Sequence, residues 1–212
     1  MPWDYDIPEA TIARISRYLT ALAELERGQF RTASSEEIAQ RAGVNAAQVR
    51  KDLSYFGELG KRGVGYAIVD LRRHLSGVLG VDRQQPVVVV GAGNIGSALA
   101  GYQGFTARGF RVVGLFDSSP QKVRQVVHGH PVLPMHRLPE LLQVTGARIA
   151  IIAVPAEAAQ AVVDELVANG IRHILNMAPA RVQAPPHVVV RSVDTTTELE
   201  MLSFCLKQGQ GA

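Results

Sequence analysis

Residues 87–96 read Val-Val-Val-Val-Gly-Ala-Gly-Asn-Ile-Gly, and they decide the fold class. Four consecutive valines suit a strand buried on both faces of a parallel sheet. The glycine spacing that follows is G-x-G-x-x-G, opening into a helical stretch over roughly 95–108. In a strand–turn–helix unit each glycine has a task. Gly91 makes the tight turn, Gly93 lets a pyrophosphate approach the backbone, and Gly96 lets helix and strand pack closely. The helix start adds free N–H groups and a partial positive charge. Gly91, Ala92, Gly93, Asn94, Ile95 and Gly96 are therefore candidate cofactor contacts. Asp117 closes Val112-Val-Gly-Leu-Phe116-Asp, 21 residues beyond Gly96. An acid at that place hydrogen-bonds ribose hydroxyls and repels a 2′-phosphate. Ser118, Ser119 and Pro120 follow it, with no arginine, which favours NAD(H) over NADP(H). A glycine-rich turn beside a solvated aspartate, or a Rossmann domain that binds coenzyme A, are the competing readings.

The same alternation continues outward from this unit. Apolar runs at 87–90, 112–116, 149–154, 171–176 and 188–190 alternate with helical stretches at about 95–108, 121–127, 137–144 and 156–169. This is the α/β pattern of a Rossmann-type parallel sheet. An amphipathic helix is expected over 195–207. Asp82-Arg-Gln-Gln-Pro86 is polar and marks a boundary, so the expected organisation is a separate first domain over 1–80, a dinucleotide-binding domain over 85–193 and a C-terminal helix over 194–212.

Before that boundary the pattern is helical. Ile12, Ile15, Leu19, Leu22 and Leu25 recur at three- and four-residue steps between Pro8 and Gly28. Cap residues at Thr32–Ser35, with Glu36 and Glu37 next, start a short helix that Gly43 breaks. Asn45 caps another helix, to about Phe56. Ala39, Gly43 and Val49 have the spacing of a helix-turn-helix, in which Asn45, Gln48, Arg50, Lys51 and Ser54 are exposed donors for base edges and phosphates. The stretch 57–66 holds four glycines around Lys61 and Arg62, too many for a helix, and reads as a basic wing. A solvated basic helix in an ordinary helical hairpin is the plain alternative.

Composition sets the outer limits. The chain has 212 residues, 47% hydrophobic and 19% charged, enough apolar material for two modest cores. A net charge of +3 permits nucleic-acid binding without arguing for it. No signal peptide precedes the first helix, and no apolar run nears the ~20 residues a bilayer needs, so a cytoplasmic protein is expected. With one cysteine, Cys205, no intrachain disulfide is possible. Cys205 lies among Leu202, Phe204 and Leu206 and reads as packing. His128 and His130 lack a third ligand and read as a surface turn, so no metal is expected.

Several longer strings carry a family resemblance. They are Ile7-Pro-Glu-Ala10, Gln48-Val-Arg-Lys-Asp-Leu-Ser-Tyr-Phe-Gly57, Lys61-Arg-Gly-Val-Gly-Tyr66, Gly91-Ala-Gly-Asn-Ile-Gly96, Val154-Pro-Ala156 and Asn176-Met-Ala-Pro179. Together they resemble the Rex family of redox-sensing transcriptional repressors over nearly the whole chain. The resemblance implies a homodimer that binds a palindromic double-stranded DNA operator and is released by NADH. It implies that the C-terminal helix is swapped between subunits. It implies DNA contacts by Arg50 and Lys51 and cofactor contacts by Gly91, Gly93, Gly96 and Asp117. Tyr102 matches a tyrosine near the nicotinamide, and Arg14 and Asp194 match polar partners at the junction between cofactor and DNA-binding parts, a switch. Two positions depart from the family pattern: Met177 stands where phenylalanine is usual, and Thr195 where leucine is. An apolar pocket of Val154, Pro155, Met177 and Pro179, at or after strand C-termini, with Tyr102 and Phe105, would disfavour the cationic nicotinamide of NAD+ relative to NADH.

Two other classes compete. A small NAD-dependent dehydrogenase lacks room for a substrate domain and any placed acid/base group. A non-catalytic interaction module leaves the basic wing unexplained.

Overall fold

In a computed structural model, residues 7–61 and 63–209 are described, and the chain divides into two compact units after Arg83. The first unit is a winged-helix arrangement. Helix α1 (Glu9–Arg27) buries Ile15, Tyr18, Ala21, Leu22 and Leu25, one face at helical spacing. A strand β1 (Thr32–Ala33) precedes α2 (Ser35–Ala42). Ser34 caps α2 with a full capping box: its Oγ accepts from Glu37 N–H at 3.1 Å, and Glu37 Oε2 accepts from Ser34 N–H at 2.8 Å. Gly43 ends α2 at φ +68°, a conformation that favours glycine. Asn45 caps α3 (Ala46–Ser54), its Oδ1 accepting from Gln48 N–H at 2.8 Å. Strand β2 (Tyr66–Ala67) pairs antiparallel with β1 and leads into α4 (Ile68–Val78). One apolar core, including Leu22, Ile38, Val49, Leu53, Ile68 and Leu75, joins the four helices. An ion pair between Arg72 and Glu26 ties α4 to α1 at the surface.

The second unit is built on a seven-stranded sheet. Its strands are β3 (Gln85–Val90), β4 (Phe110–Phe116), β5 (Val126–Val127), β6 (His130–Leu133), β7 (Ile149–Ile152), β8 (His173–Asn176) and β9 (Val189–Ser192). The order is β5-β6-β4-β3-β7-β8-β9, parallel except for β5. The chain leaves β3 toward β4 and β6 on one side, then returns to β7, β8 and β9 on the other. The direction of winding thus reverses at the C-terminal end of β3, where open α/β sheets hold ligands. Two apolar clusters cover the sheet faces, one around Val88, Phe116, Ile152 and Leu166, the other around Val87, Val89, Leu115 and Ile151.

Several expected boundaries are revised. The helix expected over 95–108 is two pieces, α5 (Asn94–Ala100) and α6 (Gln103–Ala107), broken at Gly101. Residues 121–127 do not form a helix. Residues 121–124 form a turn, and Val126–Val127 pair with β6, because β-branched residues beside Gly129 favour a hairpin. The helix begun at Asn45 ends at Ser54 rather than Phe56. Helices α7 (Leu138–Thr145), α8 (Ala156–Ala168) and α9 (Thr195–Gly209) lie close to the expected spans. On α9, Leu199, Met201, Leu202, Phe204 and Leu206 are all exposed, as is Cys205.

Candidate functional site

The sheet's switch point is formed by the glycine turn. Gly91 has φ +104°, and a Cβ there would strike the Ala153 carbonyl after β7. A Cβ on Gly96 would strike the Gly91 carbonyl, so α5 packs against its own turn only because residue 96 has no side chain. Gly93 differs: it has an ordinary φ of −84°, and a Cβ would meet nothing within 4 Å. Packing does not demand glycine there. The open side above Gly93, at the start of α5, fits the close approach of a pyrophosphate. Ile95 points out and is exposed, and Asn94 begins α5.

Asp117 is anchored at the tip of β4 and is buried. Its Oδ2 accepts from Ala92 N–H at 2.8 Å and from Lys122 Nζ at 3.1 Å; its Oδ1 accepts from Ser119 N–H at 2.8 Å. Burial raises its pKa, but hydrogen bonds from Ser119, Lys122 and Ala92 outweigh this and hold it below the ordinary carboxylate range. The carboxylate thus stays ionised beside the turn. Lys122 escapes a reading confined to the residues just after Asp117, although its five-residue offset was visible. Beyond Asp117, Ser118, Pro120, Val123, Leu133 and Pro134 help line an open cleft of about 810 Å³. None of these was singled out as a lining residue from the sequence; the β5–β6 hairpin, whose second strand ends at Leu133, was the element missed.

On the other side of the switch point, Val154 is half-buried, and Pro155 is exposed where it starts α8. Asn176 is fully buried: its Nδ2 donates to the Ala180 carbonyl at 2.9 Å and to Ser192 Oγ at 3.2 Å, while Oδ1 accepts from Ala178 N–H at 2.9 Å. That holds the Met177–Ala180 turn against the sheet end, with Met177 packed partly into the apolar cluster. Tyr102 is 59% exposed and stacks edge-on to Phe105, centroids 5.2 Å apart. Its ring lies over Gly104, where a Cβ would displace it. Asp194 caps α9, accepting from Thr196 N–H at 2.9 Å and from Thr197 Oγ1 at 3.1 Å, bonds that hold its carboxyl below the ordinary range.

In the first unit, α3 presents one buried and one exposed face. Val49, Asp52 and Leu53 are buried; Ala47, Arg50, Lys51 and Ser54 are exposed. Arg50 Nη1 donates to Ser35 Oγ at 2.7 Å and to Glu36 Oε1 at 3.1 Å, so the start of α2 supports it. Lys61 closes a tight turn, its N–H donating to the Gly65 carbonyl at 2.9 Å and Gly65 N–H donating back at 2.9 Å. This turn, continued by the β1–β2 pair, has a wing's form; Arg62 lies outside the described residues. Arg14 grips buried Asp52 on α3 through Nε (2.6 Å) and Nη2 (2.8 Å). Asp52 was not singled out from the sequence, since an aspartate in a basic helix reads as surface.

Comparison with known proteins fits both units. A family described as "putative DNA-binding protein N-terminus" matches residues 6–54, and a CoA-binding domain family matches residues 82–180. The redox-sensing transcriptional repressor Rex of Pelotomaculum thermopropionicum is 48% identical over 202 residues, 95% of each chain. The chain belongs to the Rex family. The Rex protein of Streptomyces coelicolor is 49% identical over 93% of this chain and 77% of its own. Among solved structures, RSP in complex with β-NAD+ and operator DNA covers 98% of this chain and 95% of its own, with 31% identity and a TM-score of 0.89. RSP in complex with β-NADH has 30% identity and a TM-score of 0.85, covering 98% of this chain and 97% of its own. The CoA-binding domain match spans most of the sheet unit, from β3 to the turn after β8. Among the described residues no helix is long and apolar enough to cross a membrane.

Proposed function

We propose that this Rex-family protein is a transcriptional repressor, not an enzyme, that senses the NADH/NAD+ ratio in the cytoplasm. It binds a palindromic operator as a homodimer and leaves it when NADH binds. The observation that carries this reading is the near-complete likeness to RSP, whose structures hold NAD+ with operator DNA in one case and NADH in another. Residues 1–80 serve as the DNA reader, 85–193 as the cofactor domain and 194–212 as the dimerisation helix, swapped between subunits.

The residues take these roles. Gln48, Arg50, Lys51 and Ser54 on α3, with Lys61 and Arg62 on the wing, contact DNA. Gly91 to Gly96 receive the pyrophosphate, and Asp117 receives the ribose hydroxyls. Pro120, Val123 and Pro134 wall the adenine side. Val154, Pro155, Met177 and Tyr102 make the nicotinamide side apolar. The cofactor supplies a ring that is neutral when reduced and cationic when oxidised. An apolar wall favours the neutral form because it cannot repay the lost hydration of a charge. Arg14, Tyr102 and Asp194 carry the response to the DNA-binding unit. Exposed leucines, Met201 and Phe204 on α9 are the apolar face a partner subunit covers.

Binding of the two ligands is coupled reciprocally, by about 1–3 kcal/mol or more. An anisotropy titration with a palindromic operator at fixed salt tests this. Release by NADH and not by equal NAD+ is expected. Binding indifferent to both cofactors would remove the redox role, and an absence of operator binding would remove the repressor role.

A further inference from the structure

Asp52 lies fully buried on the inner face of α3, and five hydrogen bonds converge on it. Its Oδ2 accepts from Arg14 Nε at 2.6 Å and Tyr18 Oη at 2.7 Å. Its Oδ1 accepts from Arg14 Nη2 at 2.8 Å, Thr11 Oγ1 at 3.3 Å and Gln48 Nε2 at 2.8 Å. An ionised carboxylate offers about four lone-pair sites. Arg14, Tyr18 and Thr11, all from α1, already fill four. Gln48 is a fifth donor from a side chain that is only half-buried, so this bond is not needed to satisfy Asp52. Its effect falls on Gln48.

An ionised carboxylate only accepts hydrogen bonds, so the amide must turn its NH2 toward Asp52. That leaves Gln48 Oε1 and the second Nε2–H with no hydrogen bond to protein among the described residues. The backbone is held as well, since Gln48 N–H donates to the cap Asn45. Gln48 therefore sits in the first turn of the reading helix, where such helices touch base edges, with its amide orientation already chosen. Adenine shows the major groove an acceptor, N7, beside a donor, N6–H, and a glutamine amide matches both. Guanine shows two acceptors there, and one would face Gln48 Oε1.

Resting on the repressor reading above, we infer that Asp52 is a positioning residue for DNA recognition: from inside the fold it fixes the amide of Gln48 in the orientation that reads an adenine edge.

The test uses the full-length protein and anisotropy with an operator duplex and a scrambled duplex of equal length, at one salt concentration. Each operator adenine is replaced in turn by 7-deazaadenine, which lacks the N7 acceptor. At one adenine per half-site the wild type should lose about 5- to 100-fold in affinity, and Gln48→Ala should not respond. Gln48→Ala and Asp52→Asn should each weaken operator binding by a larger factor than scrambled-duplex binding, and in combination lose no more than the worse single change. If Asp52→Asn does not fold, the wild type still answers. In 15N–1H spectra assigned with Gln48→Ala, one Gln48 side-chain NH2 proton should be shifted and protected from exchange. Two solvent-like protons, a 7-deaza effect that persists in Gln48→Ala, or an Asp52→Asn loss equal on both duplexes would each overturn the inference. A wild type without preference for the operator would sink the repressor reading itself, while the NMR experiment would still report the amide's orientation.

Discussion

Substituting alanine at each glycine of the turn should separate what the turn does for the fold from what it does for the cofactor. A Cβ at residue 93 meets nothing within 4 Å, and its φ of −84° is ordinary for any residue. Loss of glycine's flexibility in the unfolded chain favours the folded state by ~0.4–1 kcal/mol. Alanine is a poorer helix cap, which takes back a similar amount. The net change in stability without cofactor should stay within ~1 kcal/mol. NADH affinity should nevertheless fall by tenfold or more, equivalent to ~1.4 kcal/mol, because the new methyl occupies the side from which a pyrophosphate approaches. Gly96→Ala should behave oppositely. Its Cβ meets backbone rather than a flexible side chain, so overpacking should cost ~3 kcal/mol or more. Thermal melts without ligand and a fluorescence titration with NADH measure both quantities. A Gly93→Ala protein that binds NADH like the wild type would refute the assignment of Gly93 to close backbone approach.

Further outcomes follow from charge and exposure. Glu36→Gln frees Arg50 from an ion pair that is exposed on both sides and so weak, and DNA affinity should rise up to about fivefold at low salt; an anisotropy titration showing a decrease would contradict that role for Arg50. For Asp52, burial pushes the carboxyl up, but bonds from Arg14, Tyr18 and Gln48 overcome this and depress its pKa in the folded state. Its contribution to stability is therefore complete above the unfolded value near ~4 and disappears as pH falls through the lower folded value; urea melts from pH 7 to pH 3 should show this loss, and Asp52→Asn should lack it. Phe204→Glu with Leu202→Glu should leave the unfolding of each unit nearly unchanged, because both side chains are exposed within the chain. The same pair should abolish dimerisation in sedimentation experiments, and a persistent dimer would disprove the role given to α9.

The parts most legible in the sequence were those where one residue type answers a local demand. Gly91 and Gly96 are required by close backbone approach, Ser34 and Asn45 by helix starts, and Val87–Val90 by burial on two faces. Less legible was whatever depends on distant partners. The β1–β2 pair joins residues more than thirty positions apart, through only two residues on each side. Val126 and Val127 carry no turn signal before them, so a helix and a hairpin edge looked alike until β6 supplied the pairing. Asp52 reads as a solvated residue of a basic helix; only the fold brings Arg14, Tyr18 and Thr11 of α1 against it. Lys122 likewise matters through its distance to Asp117 in space, which a run of serines and a proline conceals.

The one-sided burial of α3 has a consequence for how such a protein changes over generations. Val49, Asp52 and Leu53 hold the helix to the rest of its unit, whereas Ala47, Arg50, Lys51 and Ser54 take no part in that core. Substitutions at those outward positions are free of the penalties that attach to packing. A duplicated gene can then drift toward a new operator by exchanging surface letters, while the core that holds the helix is inherited intact. Randomising only those positions in a library should accordingly return many folded readers with altered preferences and few insoluble ones.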